Sequence, residues 1–313
     1  MAAKNPFINA RVVSYQTDPS KYHQPGVERG QPGFIMSRSE LTEFFHCPRR
    51  WVRGYRRRDS DALAWGSLVD CLVIEPHTFK DRFAVPPANY PCEPTKKDPR
   101  TEKPWTTRAD YCKDWEESER LQGRVVLRHE DYLQAQSAVK VLFEEPEISA
   151  FIKTSQASVM VTADYWDEAT GITVPVKILI DLLPDGHSPY QHGLGDLKTC
   201  ESADPDLWAR SVFTYNYHVQ AALYLDVYNA ATQEERTDFF HILQESYHPY
   251  ECGQQLMSAE FLELGRLKYQ NALREYALCL ARNQWPTYSF ARRAENWNGW
   301  LFTKPQLWML NAA

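Results

Sequence analysis

The chain has 313 residues, 43% of them hydrophobic and 24% charged, enough for one large or two small domains with a buried core. Its formal net charge of −6 argues against nucleic-acid binding by the whole surface, though not against a local basic groove. Seven dispersed cysteines without a Cys-Xaa-Xaa-Cys pair exclude a zinc or iron–sulfur framework and suit a reducing compartment.

The sequence shows no secretory signal and no apolar run able to span a bilayer, so a cytoplasmic protein with no membrane partner is expected. Residues 1–35 are polar and turn-rich, and read as an N-terminal arm ahead of a single domain over 36–313. Ser37 or Ser39 can cap a helix through Leu41, Phe44 and Phe45, which Pro48 interrupts. Arg49, Arg50, Arg53, Arg56, Arg57 and Arg58 follow within ten residues. Such a run is either a solvated helix face or a strip of guanidinium forks matched to phosphate oxygens, depending on what lies beside it.

Leu68, Val69, Leu72 and Val73 mark a buried helix stopped before Pro76. Asp70 on that helix needs a partner, whether a cap, an arginine or a metal. Residues 86–108, rich in Pro, Lys, Thr and Asp, predict a long flexible loop. Helices are expected over 108–121, 129–144 and 147–153. Strands over 158–166 and 172–183 then form a hairpin, and a third covers about 191–198.

Asp204-Pro205 opens a long helix to about Asn229, with Gln220 and Tyr224 on one side of it. A strand from Phe239 to Glu245 and a helix from about Ser258 to Asn283 complete the order. The aromatic tail with Trp297, Trp300, Phe302 and Trp308 either packs in the core or supports assembly.

The chemistry concentrates in two stretches, Lys177 to Asp181 and Asp196-Leu197-Lys198. Asp196 and Lys198 are two apart, so on a strand they project to one face, and a neighbouring strand could bring Asp181 beside them. Two carboxylates and an ammonium together are costly unless a divalent cation sits between the acids. A hard, oxygen-liganded ion such as Mg²⁺ fits that set, and the lysine could then orient or deprotonate an attacking water. By itself an Asp-Xaa-Lys is common. Asp181 closing a turn, with Asp196 and Lys198 at a solvated strand end, is the plainer alternative.

Further segments change that balance. Met36-Ser37-Arg38-Ser39-Glu40-Leu41 with Cys47-Pro48, Trp65 to Asp70, Gly195-Asp196-Leu197-Lys198-Thr199 and Gln220-Ala221-Ala222-Leu223-Tyr224 stand in one order over about 36–230. Together they resemble the PD-(D/E)XK nucleases, and more narrowly the RecE-type exonuclease (exodeoxyribonuclease VIII) branch related to the RecB nuclease domain. The resemblance implies an α/β fold, a restriction-endonuclease-like αβββαβ core with a mixed central sheet flanked by helices. It implies metal-binding carboxylates at Asp181 and Asp196, the Leu197 carbonyl as a further ligand, and Lys198 acting on the attacking water. Gln220 and Tyr224 would line the site, and Asp70, which stands where this branch usually has histidine, would be a further Mg²⁺ ligand. Gln156 stands where many relatives have glutamate.

The activity so implied is Mg²⁺-dependent hydrolysis of linear double-stranded DNA, 5′ to 3′, for recombination or repair, with Mn²⁺ able to substitute. A single-strand annealing protein and a homo-oligomeric ring are the implied partners, and Arg49, Arg50, Arg53, Arg56 and Arg57 would guide the duplex. Two other readings stay open: an endonuclease, and a catalytically weak DNA-binding or assembly subunit on the same fold.

Overall fold

The period-two pattern of Val174, Val176, Ile178 and Ile180 builds a strand at the centre of the molecule, where each of these side chains is buried. The computed structural model describes residues 5–17, 22, 26–56, 61–94 and 100–287; Arg57, Arg58 and the aromatic tail lie outside them. One six-stranded sheet runs β1 (Phe7–Ser14), β2 (Ser155–Asp167), β3 (Ile172–Pro184), β4 (Gly193–Cys200), β5 (Asp238–Glu245) and β6 (Cys252–Leu256) in that spatial order. All neighbours are antiparallel except β4 and β5, whose parallel register sets Asp196 beside His241. A parallel pair needs a crossover, and two helices between β4 and β5 supply it.

Helices α1 (Arg38–His46), α2 (Asp61–Ile74), α3 (His129–Glu144), α4 (Pro146–Lys153), α5 (Pro205–Thr214), α6 (Tyr217–Thr232) and α7 (Ala259–Arg282) flank this sheet. Two apolar cores result. One joins α6 and α7 to Val159, Val161, Val176 and Ile178. The other joins α2, α3 and α4 to Leu182, Leu197, Phe240 and Ile242. The helix with Asp70, three strands, crossover helices and a fourth strand form the mixed α/β core that the sequence implied. Among the described residues, no helix is long and apolar enough to cross a membrane.

Three expectations need correction. Within the lead-in expected over 1–35, Phe7–Ser14 is not a free arm but the edge strand β1, anchored by Phe7 stacked on Tyr269 at 5.8 Å. Within the loop expected over 86–108, Asn89–Pro91 and Glu102–Pro104 pair as short antiparallel strands. The single helix expected from Asp204 to Asn229 is broken between α5 and α6. Asn216 takes a left-handed φ of 57° there, and Lys268 donates to its side-chain carbonyl at 2.7 Å.

The helix pair α6/α7 is held by Asp226, whose carboxylate accepts from Arg266 at 3.1 Å and from the Tyr269 hydroxyl. At their closest approach a Cβ on Gly265 would stand 2.1 Å from the His218 carbonyl oxygen, so only glycine fits. Gly265→Ala must push α6 away through backbone, which cannot rotate aside. We expect a loss of about 2 kcal/mol or more, read as a lowered urea midpoint with an unchanged slope; an unchanged midpoint would refute the packing argument.

Buried His218 is held neutral. Burial lowers its pKa to about 4, although its Nδ1 bonds the Val212 carbonyl at 3.2 Å. A folded-state pKa below the ordinary value of about 6.5 contributes stability that is present above that pH and is lost as pH falls toward about 4. His218→Gln should therefore flatten the acid limb of the stability profile, measured by melting temperature between about pH 7 and pH 4.

Candidate active site

The site begins with a break in strand alternation. Ile180 and Leu182 are two apart, yet Ile180 packs into the first core and Leu182 into the second. Facing this point on β2, Ser158 takes a left-handed φ of 52°, unusual for any residue but glycine. Its hydroxyl is clamped by Glu75, which also pairs with Arg82 at 3.3 Å. Arg82 reaches back to the Ser67 hydroxyl at 3.1 Å, so the end of α2 is tied to the kink that carries Asp181.

Asp181 and Asp196 meet across β3 and β4. The Leu197 amide donates to Asp181 Oδ2 at 3.2 Å. Gln220, one turn into α6, donates to Asp196 Oδ1. The Lys198 ammonium pairs with Asp196 Oδ2 and donates to the Leu197 carbonyl at 3.2 Å. The geometry thus brings Asp181, Asp196, Lys198 and Gln220 together, as the sequence predicted. Gly195 permits it, because a Cβ there would lie 2.4 Å from the Phe151 ring.

The charges are strongly interdependent. Burial, then the neighbouring Asp196 charge, pushes the Asp181 carboxyl well above the usual carboxylate range. Burial also acts to raise Asp196, but the Lys198 ammonium outweighs it and holds this carboxyl below its ordinary value. Burial opposes the Lys198 charge, yet Asp196 and Asp181 keep its pKa above that of an ordinary lysine. Asp181 is thus biased toward its protonated form, and Asp196 and Lys198 toward their charged forms.

Two adjacent buried carboxyls that cannot both ionise on their own form a donor set that a hard divalent cation would complete. Asp181, Asp196 and the Leu197 carbonyl are the oxygens that could hold it. Asp70 enters the site by charge: burial, opposed by Lys198 and reinforced by Asp196, pushes its carboxyl up to about 7. Among the described residues no three His, Cys, Asp or Glu side chains converge as a metal cage. Asp70 is thus a neighbour of the pair and not the third member of a closed cluster.

The remaining predicted residues separate. Tyr224 is buried in α6 with its ring edge on Phe239 at 6.3 Å, within the field of Asp196 and Asp181. Arg49 donates to the Trp285 carbonyl at 3.2 Å, and Arg50 pairs with Glu43 and covers the Tyr55 ring. Arg53 and Arg56 are exposed, Arg57 lies outside the described residues, and Gln156 is exposed within β2. The arginines that act on the site are others. Arg82 opposes the rise of Asp70, and Arg38 lies 5.4 Å from the Tyr217 ring, which Lys198 also approaches at 5.6 Å. The sequence signals were Arg38 directly after the Ser37 cap and Tyr217 three before Gln220.

Residues 36–294 match the family described as PDDEXK-like domain of unknown function (DUF3799). The chain belongs to that family. No curated protein matches the sequence. Among solved structures, the chain is similar to a Eubacterium rectale protein described as "Putative exonuclease", with 16% identity, 89% of this chain and 93% of that chain covered, and a TM-score of 0.49.

In this PDDEXK-like site the Asp70 carboxyl offers a direct check on the electrostatics. Its folded-state pKa of about 7 lies above the unfolded value, so its contribution is complete at low pH and is lost as pH rises toward about 7. Asp70→Asn should gain on the parent protein by roughly 1–3 kcal/mol between about pH 4.5 and pH 8 in EDTA. Thermal melts at both pH values measure it; a difference independent of pH would refute the assignment.

Proposed function

We propose that the protein is a metal-dependent deoxyribonuclease, and more finely a RecE-type exonuclease degrading linear duplex DNA from the 5′ end. The observation that supports this reading is the meeting of Asp181 and Asp196 across β3 and β4, with the Lys198 ammonium paired to Asp196. A binding surface has no need of two carboxylates kept so close against their repulsion. Asp181, Asp196 and the Leu197 carbonyl would hold Mg²⁺, with Mn²⁺ able to replace it; when bound, the ion stabilises charge building on the phosphoryl oxygens.

The chain's own groups do the rest. Lys198, held charged by the two aspartates, suits donation to an attacking water or a phosphate oxygen better than proton abstraction. Gln220 fixes one oxygen of Asp196 and so the direction of the other. The cationic edge formed by Arg38 and Lys198 on the Tyr217 ring would receive the phosphate backbone. Exposed Arg49, Arg53 and Arg56 would contact phosphates further along the duplex. A homo-oligomeric ring around DNA and a single-strand annealing partner are further parts of the proposal.

End-labelled linear and closed circular duplexes, incubated with Mg²⁺ or EDTA, test it. Linear DNA alone should be degraded, EDTA should abolish the reaction, and Asp196→Ala or Lys198→Ala should each slow it about a hundredfold or more. Cutting of circles would make the protein an endonuclease. Retained duplex binding without metal-dependent cutting would identify the non-catalytic subunit instead.

A further inference from the structure

His241 is fully buried, and neither of its ring nitrogens has a hydrogen-bond partner within the protein. Leaving both polar atoms of an imidazole unmatched in the interior is costly. The ring is walled by the rings of Trp208 at 5.3 Å, Tyr217 at 5.6 Å and Phe239 at 5.2 Å, none of which hydrogen-bonds its nitrogens.

The parallel register of β4 and β5 sets His241 directly beside Asp196, so the two side chains project to the same face of the sheet. Asp181 flanks Asp196 from β3, and His241 flanks it from β5. Asp196 is also the principal charge felt by His241, and its Oδ2 is ion-paired with Lys198. A cavity of about 160 Å³ borders the imidazole as well, lined besides by Trp208, Ala209, Gln255, Ser258 and Phe261.

We propose that His241 is a positioning residue for Asp196, giving an N–H to its carboxylate through one intervening water or after a small turn of the side chain. The inference rests on the reading of Asp196 as a metal ligand and extends it by naming the group that orients the ligand. Fixing a ligating carboxylate from behind keeps its metal-facing oxygen in place without adding charge. A neutral imidazole suits this role because Lys198 already supplies the cationic partner.

The test is Mg²⁺ titration by calorimetry on the full chain, with kcat and KM measured in parallel. His241→Leu should weaken Mg²⁺ binding about 10–100-fold and lower kcat with little change in KM for DNA. His241→Gln, which can still donate, should recover most of the affinity. A folded His241→Leu protein that binds Mg²⁺ as the parent does overturns the proposal. Should the leucine variant not fold, His241→Phe, matched to its aromatic neighbours, is subject to the same two outcomes. A parent protein that binds neither Mg²⁺ nor Mn²⁺ instead overturns the metal reading of Asp196 itself.

Discussion

The site depends on keeping two carboxylates, Asp181 and Asp196, side by side in an interior that screens charge poorly. The compensations visible around them come from two elements, β4 and α6. The Leu197 amide of β4 bonds Asp181, Gln220 of α6 bonds Asp196, and the Lys198 ammonium pairs with Asp196 from the same strand. What these donors leave uncompensated pushes the Asp181 carboxyl well above the usual carboxylate range. A divalent cation would offset that repulsion, which is the physical sense in which the arrangement suits metal chemistry.

Such an arrangement needs a scaffold able to resist its own repulsion. The kink at Ser158 and Asp181 stores backbone strain, of order 1–3 kcal/mol for a non-glycine residue in the left-handed region. The Glu75 and Arg82 side chains hold it, linking β2 to the helix that carries Asp70. Close packing does similar service on both sides. Gly66 lets α2 approach Thr199 of β4, and Gly265 lets α7 seat against the α6 backbone that carries Gln220. Displacing either helix would move a side chain of the site, so stability and geometry are set by the same contacts here.

Most of the architecture was legible from local pattern. The hairpin of β2 and β3, the strand with Asp196 and Lys198, and the capped helix α7 all follow from periodicity and end signals. Elements that depended on distant partners were not. The break at Asn216 needs Lys268 from α7, and the edge strand β1 needs a place on β2. At the site, Arg49 and Arg50 of the conspicuous run after Pro48 contact Trp285, Glu43 and Tyr55, while the single residue Arg82 acts on Asp70 and Arg38 on Tyr217 and His241. A charge run advertises itself in sequence; a lone arginine delivered by folding does not.

By itself, then, the sequence determined the kind of fold and the identity of the central groups, because strand alternation and the two-residue spacing of Asp196 and Lys198 are local properties of the backbone. Only the tertiary structure decided which carboxyl is pushed up and which is held down, that among the described residues Asp70 stands beside the pair without closing a cage, and that His241 is in register with Asp196. Those outcomes depend on burial and on the register between strands that are distant in the chain. A residue's charge state follows from what surrounds it, and its surroundings exist only after folding.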